Sequence, residues 1–201
     1  MNSNNNIKHS LLLVDGERLV LAILAQGLSK AGYTVSTAES VDEAEVLLAS
    51  GERPSLAILD VSMPERSGLE LAERLHSFDH IPFMLLTAYS DQEIVEQAAA
   101  CGALGYLVKP VDTRQLVPAI EAALARATEL RSLQMTEQQL QNALNSEREI
   151  SIAVGITMVQ YRLGRKTAFE LLRKTARSQR RKLAELAIDV IKASETLNLG
   201  D

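Results

Sequence analysis

A single cysteine stands among 201 residues. Cys101 has no partner for an internal disulfide, so the fold stands without one, and the chain suits a reducing cytosol. Preceded by three alanines and followed by Gly102, it reads as a small buried hydrophobe rather than a reactive thiol. No apolar run approaches the roughly 20 residues needed to span a bilayer. The opening MNSNNNIKHS lacks the apolar core of a secretory signal, and residues 1–7 read as a flexible polar tip. The three histidines, at 9, 76 and 80, lack metal-ligand spacing, and no Ser/His/Asp set is evident. These absences argue against a disulfide-stapled domain, a membrane-spanning helix and an enzyme acting on a separate substrate.

What is present is an unevenly charged chain. Net charge is −5 overall. Residues 1–125 carry 17 acids and 8 bases, whereas residues 150–201 carry 10 bases and 5 acids. The sign reverses between the two ends, so the ends meet different partners.

The first half alternates short apolar runs with amphipathic stretches. SLLLVD (10–15), YTVSTA (33–38), SLAILDV (55–61), PFMLLTA (82–88) and LGYLVK (104–109) read as strands, each followed by a helical pattern. Continuous apolar strands alternating with helices predict a doubly wound, five-stranded parallel sheet covered on both faces. Gly32, Gly51 and Gly102 fall where helices stop, and Ser40 and Asp112 are placed as N-caps. Beyond Asp112 no further strand is expected.

Such sheets bind ligands at the carboxyl ends of their strands, and those ends carry chemistry. Asp15 and Glu17 follow the first strand, Asp60 ends the third, Thr87 ends the fourth, and Lys109 follows the fifth, before Pro110. Converging carboxylates without His or Cys favour a hard cation such as Mg²⁺. A carboxylate beside that cation can take up a phosphoryl group, with a Lys and the metal neutralising the transferring oxygens. Singly, each residue has an ordinary explanation: a turn cap, a helix cap, a solvated lysine. The ordered set on five strands does not.

Residues 8–125 resemble the receiver domain of two-component response regulators. The motifs LLLVDGE, LAILDVSMPERSGLEL, FMLLTAYSD and GALGYLVKPVD carry the likeness. The resemblance implies that Asp60 is the phosphoacceptor, Thr87 the switch hydroxyl, Lys109 the phosphate-pairing ammonium and Tyr106 the aromatic switch. It implies Mg²⁺ held by Asp60, the Ser62 carbonyl and the acids after the first strand, Asp15 and Glu17. It also implies a sensor histidine kinase, or another regulatory protein, as partner. One departure stands out: such domains usually carry two adjacent acids after the first strand, and this chain has Asp15-Gly16. The loss of a charged ligand weakens Mg²⁺ binding and leaves control by a protein partner as an alternative.

From residue 126 to about 148 the pattern is a linker helix. Leu130, Leu133, Leu140 and Leu144 fall on alternating steps of three and four, interrupted by Glu137. That is a short coiled-coil pattern; it predicts a homodimer, with an amphipathic helix packing on its own domain as the alternative.

Residues 165–182, RKTAFELLRKTARSQRRK, hold eight Lys or Arg against one acid, Glu170. On a helical wheel Ala168, Phe169, Leu171, Leu172, Thr175 and Ala176 gather on one side and Lys166, Arg173, Lys174 and Arg177 on the other. Arg180, Arg181 and Lys182 are expected to open the next helix, where positive charge opposes the dipole; a polyanionic partner explains the cluster. Tyr161 is placed either to stack on an unpaired base or to pack at the helix end, and Phe169 to face the core.

Residues 153–191 resemble the ANTAR module, the RNA-binding output of AmiR/NasR-type antiterminators. Ala153, Gly155, Met158, Tyr161, Ala168, Phe169, Leu171, Leu172, Lys182, Leu183 and Ala187 carry the likeness. Such modules more often show Gly, a capping Ser and Asn where this chain has Arg162, Gly164 and Arg180. The resemblance implies a small three-helix module over 149–197 that binds hairpins in nascent mRNA leaders. Tyr161, Arg162, Lys166, Arg173, Lys174, Arg177, Arg180, Arg181 and Lys182 are its candidate RNA contacts. The expectation is thus a cytoplasmic response regulator acting as a transcription antiterminator, controlled by phosphorylation at Asp60 and by dimerisation. A DNA-binding regulator is the rival; no winged-helix strand pair or helix-turn-helix pattern supports it.

Overall fold

The structure, a computed structural model, describes residues 9–88, 96 and 100–198. The chain forms two compact units, Met1–Arg131 and Ser132–Asp201.

In the first unit β1 (Ser10–Val14), β2 (Thr34–Ala38), β3 (Leu56–Asp60), β4 (Phe83–Thr87) and β5 (Tyr106–Val108) form one parallel sheet in the order β2-β1-β3-β4-β5. The helices are α1 (Arg18–Lys30), α2 (Val41–Ala49), α3 (Gly68–Arg74) and the start of α4 (Thr113–Tyr161). A wide π-helical turn at Leu75–Asp79 follows α3. The helix expected between β4 and β5 lies mostly outside the described residues; Glu96 and Ala100 within it are helical.

Alternation along each strand builds two cores. Leu12, Val14, Ala57, Leu59, Phe83 and Leu85 pack with Leu48 of α2 and Leu71 of α3. Leu11, Leu13, Leu56, Ile58, Met84 and Leu86 pack with Leu24 of α1 and Leu116 and Ile120 of α4. With both faces buried, no strand needs a polar side, which is why the runs read as continuously apolar. Tyr33 closes the second core at one end: its hydroxyl donates to Glu121 of α4 at 2.5 Å. Burial first, and then that carboxylate, raise its pKa.

Local chemistry sets the boundaries. The Ser40 hydroxyl accepts the Glu43 N–H at 3.2 Å, capping α2 above an acidic first turn. Asp112 accepts the Gln115 N–H at 3.0 Å and caps α4. Gly32, Gly51 and Gly102 take positive φ, where a side chain would be strained. The Lys109–Pro110 bond is cis.

The strand order makes the site. The chain leaves β1 toward β2 and returns to β3 on the other side, a topological switch point. Val14 registers with Leu59 across that junction, so Asp15 and Asp60 come side by side.

The loop after β3 is fastened. The Ser67 hydroxyl donates to the Val61 carbonyl at 3.2 Å and accepts the Leu69 N–H, capping α3. Arg66 reaches Asp42, Glu45 and Glu70, and Arg74 reaches Glu45 and Asp79. The hydrogen bond from Arg66, reinforced by Arg74, holds the Glu45 carboxyl below the usual range. Gly68 lies so close beneath Asp60 that an added Cβ would stand 2.0 Å from the Asp60 carbonyl oxygen. Gly68→Ala is expected to destabilise by about 3 kcal/mol, the upper end for overpacking, read as a lowered urea midpoint.

In the second unit the end of α4 packs with α5 (Arg165–Ser178) and α6 (Leu183–Asn198). Ala153, Val154, Ala168, Leu172, Ala176, Leu186 and Ala187 form its core. Four of the seven are alanines, which lets the helix backbones approach closely. Helix α4 is continuous from Thr113 to Tyr161, so neither 125 nor 148 is marked by a break in it.

Candidate functional site

Asp15, fully buried, leaves β1 with its Oδ1 accepting the Glu17 N–H at 2.9 Å. Asp60, 3% exposed, ends β3, and its Oδ1 accepts the Ser62 N–H at 3.0 Å. Between them stands the Lys109 ammonium: 2.9 Å from Asp60 Oδ2, which accepts its hydrogen bond, and 2.6 Å from Asp15 Oδ2. Asp15 Oδ2 is buried and has no aligned hydrogen bond; its contact with Lys109 is ionic. Burial works against the charge on Lys109, but the two carboxylates outweigh it and hold its pKa above the ordinary lysine value. Thr87, buried at the end of β4, accepts the Lys109 N–H on its carbonyl at 2.8 Å. Four of the expected site residues are thus gathered at one sheet edge.

Two stand apart. The Glu17 side chain is 71% exposed and comes only within 3.9 Å of Lys109. Its backbone starts α1 and its N–H serves Asp15, so it sits at the rim. Tyr106 is 45% exposed on β5, beside the α4 residues Ala119, Ala122 and Ala123.

Asp15 and Asp60 form a hard-oxygen pair of the kind that suits Mg²⁺, with the Lys109 ammonium on both. Among the described residues no three acidic, His or Cys side chains gather as a metal cluster. Mg²⁺ needs only one or two carboxylates, completed by water, so the Asp15 and Asp60 side chains fit it. Gly16 adds no side-chain oxygen, and a Cβ there would meet Pro64 Cδ at 2.9 Å.

Cys101 is half-buried, and burial raises its thiol pKa.

The basic residues of the second unit do not act as one block. Lys166, Arg173 and Arg177 share a side of α5, with Lys174 turned further round. Phe169, expected to face the core, is half-buried and lines a groove. Leu171, expected on the apolar side, is exposed, as is Gly155. Tyr161 is exposed at the end of α4.

Arg180, Arg181 and Lys182 do not open α6, which begins at Leu183. The reason is the way α5 ends. Arg180 is left-handed, with φ 54°; its N–H reaches the Arg177 carbonyl and the Arg181 N–H the Ala176 carbonyl. That is a Schellman stop, which uses up two residues before α6 can start. Lys182 then caps α6 through its carbonyl. The Arg181 guanidinium is tied to Asp189 at 2.6 Å and lies 3.8 Å from Glu185. It is therefore a structural cation more than a free one.

Helix α4 ends the same way, with Arg162 at φ 52° and the Leu163 N–H on the Met158 carbonyl. Both left-handed sites carry Arg, and Gly164, the N-cap of α5, offers no side-chain cap. Arg162→Gly and Arg180→Gly are each expected to stabilise by about 0.5–1 kcal/mol, because relief of left-handed strain exceeds the entropy of the added glycine. A thermal melt reads the gain.

What sequence reasoning missed here is Gly68, the Arg66 network and the Arg181–Asp189 tie. A glycine eight residues beyond an acidic strand end was a signal for the first; the ion pairs left none.

Comparison with known proteins supplies the frame for both units. The response regulator receiver domain family matches residues 11–121, and the ANTAR domain family residues 138–191. The transcriptional regulatory protein PdtaR of Mycobacterium tuberculosis is 30% identical over 188 residues, covering 92% of each chain. The transcriptional regulatory protein AfsQ1 of Streptomyces coelicolor is 38% identical over 117 residues, covering 58% of this chain and 52% of its own. Among solved structures, the chemotaxis response regulator CheY4 of Vibrio cholerae superposes with a TM-score of 0.52 at 29% identity, covering 57% of this chain and 97% of its own. A signal receiver domain from Pseudomonas fluorescens gives 0.55 at 33%, covering 60% and 97%. Among the described residues no helix is long and apolar enough to cross a membrane. The paired buried aspartates under one lysine, the five-stranded sheet that positions them and the three-helix unit that follows place this chain in the response regulator family, as a receiver domain joined to an ANTAR domain.

Proposed function

We propose that this response regulator binds hairpins in nascent mRNA leaders, and that phosphorylation of Asp60 governs when it does so. The observation that carries the RNA reading is the cationic side of α5. Lys166, Arg173 and Arg177 are exposed there, in a helix with no acidic residue in its first turn. Phosphate contacts of that kind give affinity with little sequence information. By analogy with the transcriptional role in the name of PdtaR, the outcome is regulation of transcription: the bound leader no longer forms a terminator hairpin.

In the receiver, Asp60 Oδ2 is the acceptor of a phosphoryl group from a sensor histidine kinase. Mg²⁺ would be held by Asp15, Asp60 and the Ser62 carbonyl with Glu17 at the rim, and would supply neutralisation of the phosphoryl oxygens. Lys109 gives up its hydrogen bond to Asp60 and pairs with the phosphoryl group instead. The Thr87 hydroxyl turns toward the new oxygens, and Tyr106 follows by moving inward against β4 and α4. Gly16, packed on Pro64 and bare of a ligand, favours a second mode, in which a protein partner drives the same rearrangement.

The output of that change is pairing of two copies. Leu130, Leu133, Leu140 and Leu144 are 41%, 60%, 61% and 53% exposed on α4, a stripe suited to a second α4. Pairing presents two cationic helices at once and raises affinity through effective concentration. Leu133→Lys with Leu140→Lys is expected to leave the protein monomeric by light scattering and to weaken RNA binding about 100-fold, the lower end for lost bivalency.

The direct test is fluorescence anisotropy with a stem-loop RNA and a DNA duplex of equal length at about 0.05–0.2 M salt, the range over which phosphate contacts show their salt dependence. Salt-sensitive binding of the stem-loop, with duplex DNA at least tenfold weaker, supports the reading. Equal or stronger binding of the duplex contradicts it.

A further inference from the structure

Within the C-terminal unit, the wall of α4 from Ala143 to Val154 and the first turn of α5 bound an open groove of about 810 Å³. Ile150, Val154 and Phe169 give it an apolar floor, and Arg165 and Lys166 stand on its rim. Phe169 is one of two aromatic residues in 132–201, the other being Tyr161. Its ring is half-buried, so the core steadies it while the groove leaves it partly reachable. Lys166 lies three residues before Phe169 and Arg173 four after, on the same side of α5. The groove therefore opens directly onto the cationic stripe.

The wall also carries a carboxylate, Glu147. It repels a phosphate from the interior and accepts ring N–H or amino groups. Such a site takes an apolar, planar, N–H-bearing ring inside and anions at the edge. An unpaired nucleotide has that make-up. Bases paired in an A-form stem are not reachable in this way, whereas loop bases splay out and stack on aromatic rings.

We propose that this groove binds one flipped-out nucleobase of an RNA hairpin loop, its ring against Phe169 and its flanking phosphates on Arg165 and Lys166. The proposal rests on the RNA reading above and adds to it. The stripe Lys166, Arg173 and Arg177 gives sequence-independent grip; the groove reads the loop. Tyr161, exposed at the end of α4, is then not the principal stacking residue.

Phe169 also packs on the three-helix core, so the groove is best blocked from the opposite wall, where Ser151 is exposed. The probe is a stem-loop RNA selected for binding from a pool with randomised loop, then resynthesised with each loop nucleotide made abasic in turn. With the full-length protein, one abasic position is expected to lower affinity about tenfold, the scale of one base–aromatic stack. Ser151→Phe, shown by thermal melting to be folded, is expected to lose a similar factor on the intact RNA and nothing more on that abasic RNA. If the two losses multiply, or if no abasic position matters, the groove holds no base, and salt-sensitive binding of the stem-loop would still leave the wider RNA reading standing. If no stem-loop binds with salt sensitivity, both fail together.

Discussion

Lys109→Met is expected to lower the stability of the receiver unit by about 3–5 kcal/mol, the range for breaking a buried ion pair by removing one partner. Asp15 and Asp60 are 0% and 3% exposed, and the lysine is the cation that both touch, at 2.6 and 2.9 Å. Without it, two buried carboxylates face each other with the Glu17 and Ser62 N–H groups for support. Methionine keeps the length and apolar stem of lysine, so altered packing contributes little. The cause can be separated from general damage. Adding Asp15→Asn to the variant removes one of the facing charges and is expected to recover about half of the loss, whereas a packing defect would be indifferent to it. Millimolar Mg²⁺ is expected to raise the melting temperature of Lys109→Met more than that of the parent protein, because a cation replaces a cation. Urea denaturation and thermal melting read all three.

The second large effect concerns the α5 stripe. Neutralising Lys166, Arg173 and Arg177 together as Gln is expected to weaken stem-loop binding strongly at all loop sequences. The slope of log affinity against log salt is expected to fall by about 3, roughly one for each phosphate left without its cation. The fold is expected to survive, since all three side chains are exposed and the core rests on Ala168, Leu172 and Ala176. Arg173 is 3.4 Å from Glu170, a weak surface pair whose removal costs little. By contrast, Arg181→Gln is expected to act on stability more than on salt slope, because its guanidinium is engaged by Asp189. A charge cluster in the sequence is thus two different things in the structure, an exposed cationic helix side and a helix tie.

That division shows where reading the sequence reaches its limit. The apolar runs gave away the parallel sheet, because strands buried on both faces leave no polar register to misread. The site was legible because Asp15, Asp60, Thr87 and Lys109 each lie at a strand end, and parallel strands put those ends on one edge. The helix ends of the second unit were harder. A Schellman stop is usually announced by Gly, and here Arg162 and Arg180 take the left-handed position instead, with φ 52° and 54°. The signal is therefore replaced by charges that read as the start of a helix. The wheel put Phe169 on the core side, where it does pack, but not beside a groove: a wheel assigns a residue to a face, and a groove exists only where two helices diverge. The closeness of Gly16 to Pro64 depends on a loop whose path no periodicity describes.

The account stands on one coupling: the state of Asp60 sets how tightly the cationic helix holds RNA. It is tested most directly by measuring the affinity of the full-length protein for a stem-loop RNA at about 0.15 M salt, near physiological ionic strength, with and without beryllofluoride and Mg²⁺, for the parent chain and for Asp60→Ala. Beryllofluoride is expected to tighten binding by at least tenfold in the parent, together with a shift from monomer to dimer, and to do nothing to Asp60→Ala. Tight binding that is the same in all four samples would contradict the coupling.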